Sequence, residues 1–391
     1  MATLYFDNSG GNSDWQTLGN WWTDPPEADP RNAAAALPTS SDSVHIYGPE
    51  CTNTGAQPTV ANLTAHYMNI DLDITVTGTG TVEVRGGALA AGRTLTYTGR
   101  ANFVDGNGTN YGTVTRDATF NGNWQNSGTV SGDATFNSVS QNNGTVSGNA
   151  TFNEDSGNSV SGTVTGNATF NGSISANNGT VSGSATFYGP NNGTVGGSAA
   201  FYGDAKNYGT VDNNATFHTS STGNRGTVSG DATFYLDADN FSNGTVNGHA
   251  TFYSTASNNG TLNSATFNEY STNEYDGTVT NNATFNDYSQ NYSATVNGNA
   301  TFYDNSQAYG TFNGEARFHD NSYFTGGSVS GSAEFYDRSY IPSGGYFSNG
   351  LTIYGDPVMA TAGLTNSITN GTFTFFRAQL GINGSSILGI I

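Results

Sequence analysis

The chain of 391 residues is poor in cysteine, in basic residues and in long apolar stretches. Its single cysteine, Cys51, cannot form a disulfide within the chain, and we expect an inert thiol inside the fold. Ten Lys and Arg against 30 Asp and Glu give a formal net charge of −20, which leaves no basic surface for nucleic-acid phosphates. No run approaches the roughly 18 apolar residues of a transmembrane helix. We therefore expect neither nucleic-acid binding nor membrane insertion.

Glycine and aromatic residues are abundant instead. The 53 Gly residues and the charged fraction of only 10% would suit a disordered chain. However, 23 Phe, 21 Tyr and 4 Trp supply large apolar side chains that disordered segments lack. We therefore expect a folded protein of repetitive composition. The N-terminal segment lacks the basic and apolar regions of a secretory signal peptide, so none is expected.

One motif, Gly-Thr-Val-x-Gly-x-Ala-Thr-Phe, recurs between Tyr111 and Phe335. Fourteen copies align on their phenylalanines, from Phe120 onwards, at intervals of 14 to 18 residues. The separation from Val to Phe is six residues in every copy but one, whereas the return from Phe to the next Val varies from 8 to 12. Each repeat therefore has a fixed arm and a variable return arm.

The fixed arm predicts two short strands joined at a bend. Glycine occupies the middle position in ten copies, which predicts a turn with φ > 0 at that point. Beyond the bend, Ala-Thr-Phe alternates with period two, so Ala and Phe face inwards with the preceding Val, and Thr faces outwards. A repeat this short cannot bury a core alone, so the copies must stack.

The fold that these patterns predict is all-β: a β-solenoid (parallel β-helix) of about 14 coils of roughly 17 residues, with non-repeat caps at both ends. A triple-stranded fibre of three intertwined chains is the alternative. Residues 1–60, rich in Trp and Pro, are expected to form an N-terminal cap or attachment segment, because an uncovered end coil invites aggregation. Lead-in β coils follow at 61–102 and the repeat solenoid at 103–339. The apolar segment 340–391 is expected to be a C-terminal cap or an oligomer contact.

The opening of the chain also contains a recognisable pattern of residues. These residues are Met1, Ala2, Thr3, Trp15, Asn20, Trp21, Trp22, Pro38, Asp42, Val44 and Ile46. In this pattern the chain resembles the start of phage and bacterial virion or surface proteins of β-helical type. Its repeats are similar to the Gly/Asn/Thr-rich solenoids of phage tail fibres and bacterial adhesins. The resemblance implies an extracellular structural or receptor-binding role, and a chain without a signal peptide fits a virion protein best.

We therefore expect a non-enzymatic, elongated structural protein of a phage tail fibre or similar virion appendage that binds host-surface glycan. The expected partners are other virion or filament subunits, cell-surface polysaccharide and further copies of the chain. The alternatives are a self-assembling filament subunit, a surface adhesin, a carbohydrate-active enzyme and, because Thr forms two outward columns, an ice-binding protein.

The candidate glycan contacts are the residues that follow each phenylalanine. This position is Asn in the early copies and Tyr or His in most later ones, and it should face outwards if Phe faces inwards. A column of exposed aromatic rings could stack on sugar rings, although it could equally serve as a ladder that stabilises the coils. The candidates are Tyr188, Tyr202, His218, Tyr235, Tyr253, Tyr303, His319 and Tyr336.

Catalysis and metal binding have weaker support in the sequence. Glycoside hydrolysis needs two carboxylates at a defined separation, and the return arms contain acidic residues that lie in no motif. The candidate pairs are Glu154 with Asp155, Asp237 with Asp239, Glu269 with Glu274, and Asp304 with Asp320. The five histidines lack the spacing of a zinc site. We expect no catalytic residue, no metal site and no cofactor, with calcium as the alternative because oxygen ligands abound.

Overall fold

The computed structural model describes residues 2–78, 82–341 and 345–354, together with the backbone of 373–376. The chain divides into two compact units, Met1–Ala199 and Ala200–Ile391. Each is built from parallel β coils, and the described residues contain a single short 3-10 helix, Leu18–Asn20. The predicted β-solenoid is confirmed, with about 18 turns at a spacing near 17 residues. The predicted number of coils was lower because the lead-in coils use Val, Leu and Ile where the repeat has Ala and Phe.

The strands are short, and most contain two or three residues. The first ten are β1 (Thr3–Phe6), β2 (Trp21–Trp22), β3 (Ser43–Tyr47), β4 (Glu50–Thr52), β5 (Thr59–Val60), β6 (Asn62–Asp71), β7 (Ile74–Val76), β8 (Val82–Leu89), β9 (Thr94–Tyr97) and β10 (Ala101–Asn110). The next fourteen are β11 (Thr113–Val114), β12 (Ala118–Phe120), β13 (Asn123–Asn126), β14 (Thr129–Val130), β15 (Ala134–Phe136), β16 (Gln141–Asn142), β17 (Thr145–Val146), β18 (Ala150–Phe152), β19 (Gly157–Asn158), β20 (Thr163–Val164), β21 (Ala168–Phe170), β22 (Thr180–Val181), β23 (Ala185–Phe187) and β24 (Thr194–Val195).

The remaining strands continue the same alternation of fixed and return arms. They are β25 (Ala199–Phe201), β26 (Lys206–Asn207), β27 (Thr210–Val211), β28 (Ala215–Phe217), β29 (Gly223–Asn224), β30 (Thr227–Val228), β31 (Ala232–Phe234), β32 (Asp239–Asn240), β33 (Thr245–Phe252), β34 (Ser257–Asn258), β35 (Thr261–Phe267), β36 (Thr272–Glu274), β37 (Thr278–Val279), β38 (Ala283–Phe285), β39 (Gln290–Val296), β40 (Ala300–Phe302), β41 (Gln307–Phe312), β42 (Ala316–Phe318), β43 (Tyr323–Val329), β44 (Ala333–Phe335), β45 (Gly345–Phe347), β46 (Leu351–Tyr354) and β47 (Phe373–Phe376).

Within each unit the coils stack in register, so that each inward residue type forms a ladder. In the first unit, β12, β15, β18, β21 and β23 pair in parallel, with Ala over Ala and Phe over Phe. The Phe rings of neighbouring coils lie face to face with centroids 4.6–4.9 Å apart. The second unit repeats this arrangement with centroids 4.4–4.9 Å apart. The Val, Ala and Phe side chains of these ladders are buried, as predicted.

The glycines at the bend of the fixed arm correct one prediction. They do not have positive φ; Gly148 is one example. A Cβ atom on Gly148 would lie 2.4 Å from Oδ1 of Asp133 and 2.6 Å from the carbonyl oxygen of Gly132 in the adjacent coil. Glycine is needed there because neighbouring coils approach closely, not because the backbone is left-handed.

Left-handed backbone occurs instead on the return arm, two residues after Phe, where Gly122 and Gly203 lie in two coils and residues other than glycine lie in most others. There a turn is closed by a hydrogen bond such as the one from the N–H of Ser156 to the carbonyl of Asn153, 3.2 Å. The residues with φ of 56–60° at this corner are Ser138, Glu154, Leu236, Ser254, Glu269, Asp287, Asp304, Asp320 and Asp337. Nine side chains are therefore held at a corner where glycine would be least strained.

The first coil is covered by the Trp-rich segment. Strand β1 pairs in parallel with β3 on one edge and antiparallel with β2, which contains Trp21 and Trp22, on the other. Trp21 packs edge-on against Trp15 with centroids 4.6 Å apart and donates from Nε1 to the carbonyl of Trp15 at 2.9 Å. Attachment of this segment to a partner stays a prediction. At the other end, most of the segment 340–391 lies outside the described residues, including the Ile-rich terminus.

Candidate functional site

Most of the predicted glycan contacts form stacked aromatic ladders. In the second unit Tyr202 and His218 lie 4.4 Å apart between ring centroids, with planes 2° apart. The run continues from His218 through Tyr235 to Tyr253 at 5.8 and 5.2 Å. A second run joins Tyr303, His319, Tyr336 and Tyr354 at 5.0, 4.5 and 4.6 Å. Within a run the rings cover one another's faces, which leaves ring edges and polar atoms for solvent. The remaining candidate, Tyr188 of the first unit, is exposed.

The two runs are separated by two coils with Asn in place of the aromatic residue. Asn286 donates from Nδ2 to Oδ1 of Asn268 at 2.9 Å, so an amide ladder fills the gap. In these coils the tyrosines occur two positions later, at Tyr270 and Tyr288, which stack with centroids 5.2 Å apart. Both are exposed. The outward aromatic surface therefore changes position between neighbouring coils.

A third group of tyrosines lies further along the return arm, close to the following Thr-Val strand. We call Tyr275, Tyr292 and Tyr309 the splayed tyrosines, because their rings are turned relative to each other rather than stacked. All three are exposed. They are not among the expected glycan contacts, because the variable length of the return arm hides their alignment in the sequence.

A ladder of buried asparagines, which was not predicted from the sequence, also runs through the coils of both units. Ten of these amides donate from Nδ2 to Oδ1 of the equivalent asparagine in the next coil, at 2.7–2.9 Å. Asn291, which faces Ala308 in the next coil, donates instead to the carbonyls of Ala294 and Tyr309. The members are Asn110, Asn126, Asn142, Asn158, Asn177, Asn191, Asn207, Asn224, Asn240, Asn258, Asn273 and Asn291. Asparagine four residues before Val in many copies was the available signal, and insertions shift it to five or six in others.

The residue before each inward Ala forms a further ladder, through hydrogen bonds from side chain to backbone. Oδ1 of Asp133 accepts a bond from the N–H of Asn149 at 2.7 Å, and Oδ1 of Asn149 accepts one from the N–H of Asn167 at 2.9 Å. In the second unit Oδ1 of Asp231 accepts from the N–H of His249 at 2.7 Å. Several carboxylates of the fixed arm thus accept a hydrogen bond from a backbone N–H of the next coil.

The acidic residues of the return arm are held in a similar way. Oδ2 of Asp320 accepts from the N–H of Asp304 at 3.4 Å, so this candidate pair is brought to neighbouring coils. Glu269 is bonded instead to Asp287, whose Oδ2 accepts from the N–H of Glu269 at 3.2 Å. Glu274 accepts from the hydroxyl of Thr272.

The candidate pair Asp237 and Asp239 contacts hydroxyl groups of the next coil. Asp237 accepts from Thr255, and Asp239 accepts from Oγ of Ser257 at 2.6 Å. Burial raises the pKa of Asp239, with a smaller opposing effect of the Ser257 hydrogen bond. The other pair, Glu154 and Asp155, follows Phe152 at an exposed corner. Of these candidates, the carboxylates of Asp237, Asp239, Glu269 and Asp320 therefore take part in contacts between coils.

Two histidines that are 21 residues apart in the sequence meet on the neighbouring strands β3 and β6. Nδ1 of His45 lies 3.4 Å from Nε2 of His66, and the ring of Tyr47 stacks on His66 at 4.1 Å. Burial lowers the pKa of both imidazoles, and the positive charge of Arg85 lowers them further. Among the described residues no group of three or more His, Cys, Asp or Glu is arranged to hold a metal ion. Cys51 is buried, and burial raises the pKa of its thiol.

Known proteins give no indication of what this chain does. No protein-family model, curated protein or solved structure matches the chain. Within the described part of the chain, no helix has the length and apolar character needed to cross a membrane. The features that bear on function are therefore the ladders between coils and the outward aromatic residues.

Proposed function

We propose that the chain is a non-enzymatic structural protein of a phage tail fibre or similar virion appendage, and that its outward aromatic residues bind host-surface glycan. The observation that carries the structural part is the set of inward ladders. Val, Ala, Phe and Asn contacts recur from coil to coil within each unit, so each coil is stabilised chiefly by its neighbours. Such a scaffold is suited to holding surface residues at fixed intervals.

The support for glycan binding is the concentration of exposed tyrosine on the second unit. Tyrosine offers an apolar ring and a hydroxyl group with little entropy to lose, which suits a polar ligand with apolar ring faces. The predicted column supplies ring edges and hydroxyls, and Asn, Ser and Gln lie beside it on the return arms. Binding at several coils would combine weak contacts into useful affinity.

The support for a non-enzymatic role is the use made of the carboxylates. Asp133 caps a neighbouring coil, and Asp320 accepts from the backbone of Asp304. A glycosidase needs one carboxyl group free to donate a proton and another free to attack or to activate water. Asp133, Asp239 and Asp320 accept structural hydrogen bonds instead.

Affinity electrophoresis of the full chain tests the glycan-binding part of the proposal. The acidic protein runs in native gels that contain dextran, chitosan oligosaccharide, alginate or a polysaccharide extract of bacterial surfaces. We expect at least one of these to retard the protein relative to a gel without polysaccharide and to a non-binding acidic marker. Unchanged mobility in every gel would refute the binding role while leaving the structural role open.

A further inference from the structure

The splayed tyrosines differ from the ladders in the orientation of their rings. Tyr275 and Tyr292 have centroids 5.3 Å apart and planes at 88°, and Tyr292 and Tyr309 are 5.9 Å apart with planes at 45°. In the stacked column the planes differ by only 2–16°. Rings turned by 45° or more are not stacked face to face, although in the T-shaped pair the edge of one ring lies on the face of the other. The splayed tyrosines therefore have ring faces that neighbouring tyrosines cover only in part, whereas the rings of the stacked column cover each other's faces.

The backbone of the return arm explains why these rings do not stack. The number of residues from the inward ladder position to the next fixed arm falls by one in each coil: six from Asn273 to Val279, five from Asn291 to Val296 and four from Ala308 to Phe312. The strand register shifts at the tyrosines in both pairings. The left-handed backbone of Tyr275 itself, with φ of 32°, adds to the irregularity.

The splayed tyrosines are accessible to a ligand. The side chains of Tyr275, Tyr292 and Tyr309 are 61%, 42% and 41% exposed, and the stacked Tyr270 and Tyr288 are similarly exposed, so it is the orientation of the rings that distinguishes the splayed group. Three such residues on three consecutive coils make a continuous surface, because successive strands lie about 4.8 Å apart.

Amide and hydroxyl groups surround this surface. Gln290 and Gln307 lie outward on the same strands and are paired in register, with Thr272 opposite Gln290 in the preceding coil. Nε2 of Gln307 donates to Oγ1 of Thr325 at 3.1 Å. These groups can donate and accept hydrogen bonds beside an aromatic face, and that combination suits sugar hydroxyls.

The charge around the surface restricts the ligand. From residue 226 to residue 316 the chain has nine Asp and Glu and no Lys or Arg. A polyanionic polysaccharide would approach this surface against repulsion and would find no cation to pair with there. An uncharged glycan, or one with amino groups, would meet no such barrier.

We propose that Tyr275, Tyr292 and Tyr309 bind an uncharged or amino-substituted glycan by packing their ring faces on sugar rings, with Gln290 and Gln307 as hydrogen-bonding neighbours. The inference rests on the proposed glycan-binding function, and it adds the site and the charge class of the ligand. The stacked column contributes less, because its ring faces are already in contact with each other.

The test compares two triple variants with the wild type in gels that contain dextran, chitosan oligosaccharide or alginate. Tyr275→Ser/Tyr292→Ser/Tyr309→Ser should weaken retardation by dextran or chitosan at least about tenfold, since an aromatic contact contributes a factor of roughly two to ten. The matched control in the stacked column, Tyr235→Ser/Tyr253→Ser/Tyr303→Ser, should weaken it less than about threefold. Alginate should not retard the wild type.

A conservative triple variant separates stacking from loss of the fold. Tyr275→Phe/Tyr292→Phe/Tyr309→Phe keeps the ring faces, so it should keep most of the retardation that the serine variant loses. Far-UV circular dichroism checks all variants, and if the serine variant is unfolded, Tyr292→Ser alone replaces it, with an expected loss of about twofold or more.

The outcomes that would overturn the inference are distinct from those that would overturn the proposed function. Retardation of the wild type that survives the serine changes at the splayed tyrosines, or that occurs only with alginate, refutes the site or the charge class but keeps glycan binding. No retardation of the wild type in any gel refutes both. If sedimentation velocity shows that the serine variant loses self-association, while gel mobility is unchanged, the surface is a contact between copies and the inference fails.

Discussion

Asn126 donates a hydrogen bond of 2.8 Å from Nδ2 to Oδ1 of Asn142, the residue in the same position of the next coil. Both side chains are fully buried. Asn142 in turn donates to Oδ1 of Asn158 at 2.8 Å, so each inner amide of the ladder is both donor and acceptor. Buried amides are tolerated when such bonds are complete, and each coil then requires its neighbour in one register.

Removing one rung of this ladder should therefore be costly. Asn142→Ala leaves Oδ1 of Asn158 without its donor and Nδ2 of Asn126 without its best acceptor, so we expect the free energy of unfolding to fall by about 2–4 kcal/mol. Asn143→Ala, at the neighbouring half-exposed position, should cost less than about 0.5 kcal/mol. Urea unfolding followed by circular dichroism measures both. Equal losses would show that the ladder is not a main source of stability.

The inward alanines should not accept larger side chains. Ala150 is buried between Ala134 and Ala168 of the adjacent coils, so Ala150→Leu should overpack the core and cost about 1–3 kcal/mol or more. Thr151→Ser, on the outward face of the same strand, should cost far less. The midpoints of thermal unfolding compare the two. A larger loss from Thr151→Ser would contradict the inward and outward assignments.

Replacing a bend glycine should cost more stability than placing glycine at a left-handed corner, although the bend glycine has no positive φ. Gly148→Ala places a Cβ atom against the adjacent coil, and we expect a loss of about 1–3 kcal/mol although φ is not positive there. Leu236→Gly should lose less than about 0.5 kcal/mol, because Leu236 is exposed and has φ of 57°, where glycine is unstrained. The midpoints of urea unfolding of the two variants measure these losses. Comparable losses would mean that coil spacing does not set the need for glycine.

The contact between His45 and His66 should make the stability of the first coils depend on pH. His45 and His66 face Tyr5, Tyr47, Glu83, Arg85 and the charge of Glu27, and burial holds the pKa of both imidazoles below their ordinary 6.5. The unfolded chain therefore binds protons first, and stability falls as pH drops below about 6.5, until the folded state is protonated as well.

Tryptophan fluorescence during urea unfolding measures this dependence between about pH 8 and about pH 5. His45→Gln/His66→Gln should have a smaller decrease in the urea midpoint on acidification than the wild type, because both proton-binding groups are removed. His319→Gln, in the second unit, provides a matched histidine change. The prediction fails if the double variant and the wild type lose the same stability.

The proposed absence of catalysis can be checked directly. Prolonged incubation of the purified chain with dextran, chitosan oligosaccharide or alginate should release no new reducing ends and no unsaturated sugars. The reason is that the carboxylates of Asp239, Asp287 and Asp320 accept hydrogen bonds from neighbouring coils. Product formation that Asp304→Asn or Asp320→Asn abolishes would make the chain an enzyme.

The sequence by itself determined the length of each coil and which of its side chains face the core. Alternation in Ala-Thr-Phe assigns inward and outward faces within three residues, and the constant separation of Val from Phe forces the copies to stack. Both are local properties of the chain, so no tertiary information was needed. The predicted count of about 14 coils covered only the copies of the motif, and the earlier coils lack it: Val44 and Ile46, for example, occupy the positions that Ala and Phe hold in the repeat.

Only the tertiary structure decided what happens between coils. The close approach at Gly148, the bond from Asn126 to Asn142 and the contact of His45 with His66 all join residues 15 or more positions apart. The variable length of the return arm hides which of these residues are neighbours until the backbone is placed. The splay of Tyr275 against Tyr292 has the same origin, because a one-residue change in arm length rotates a side chain away from its partner in the next coil.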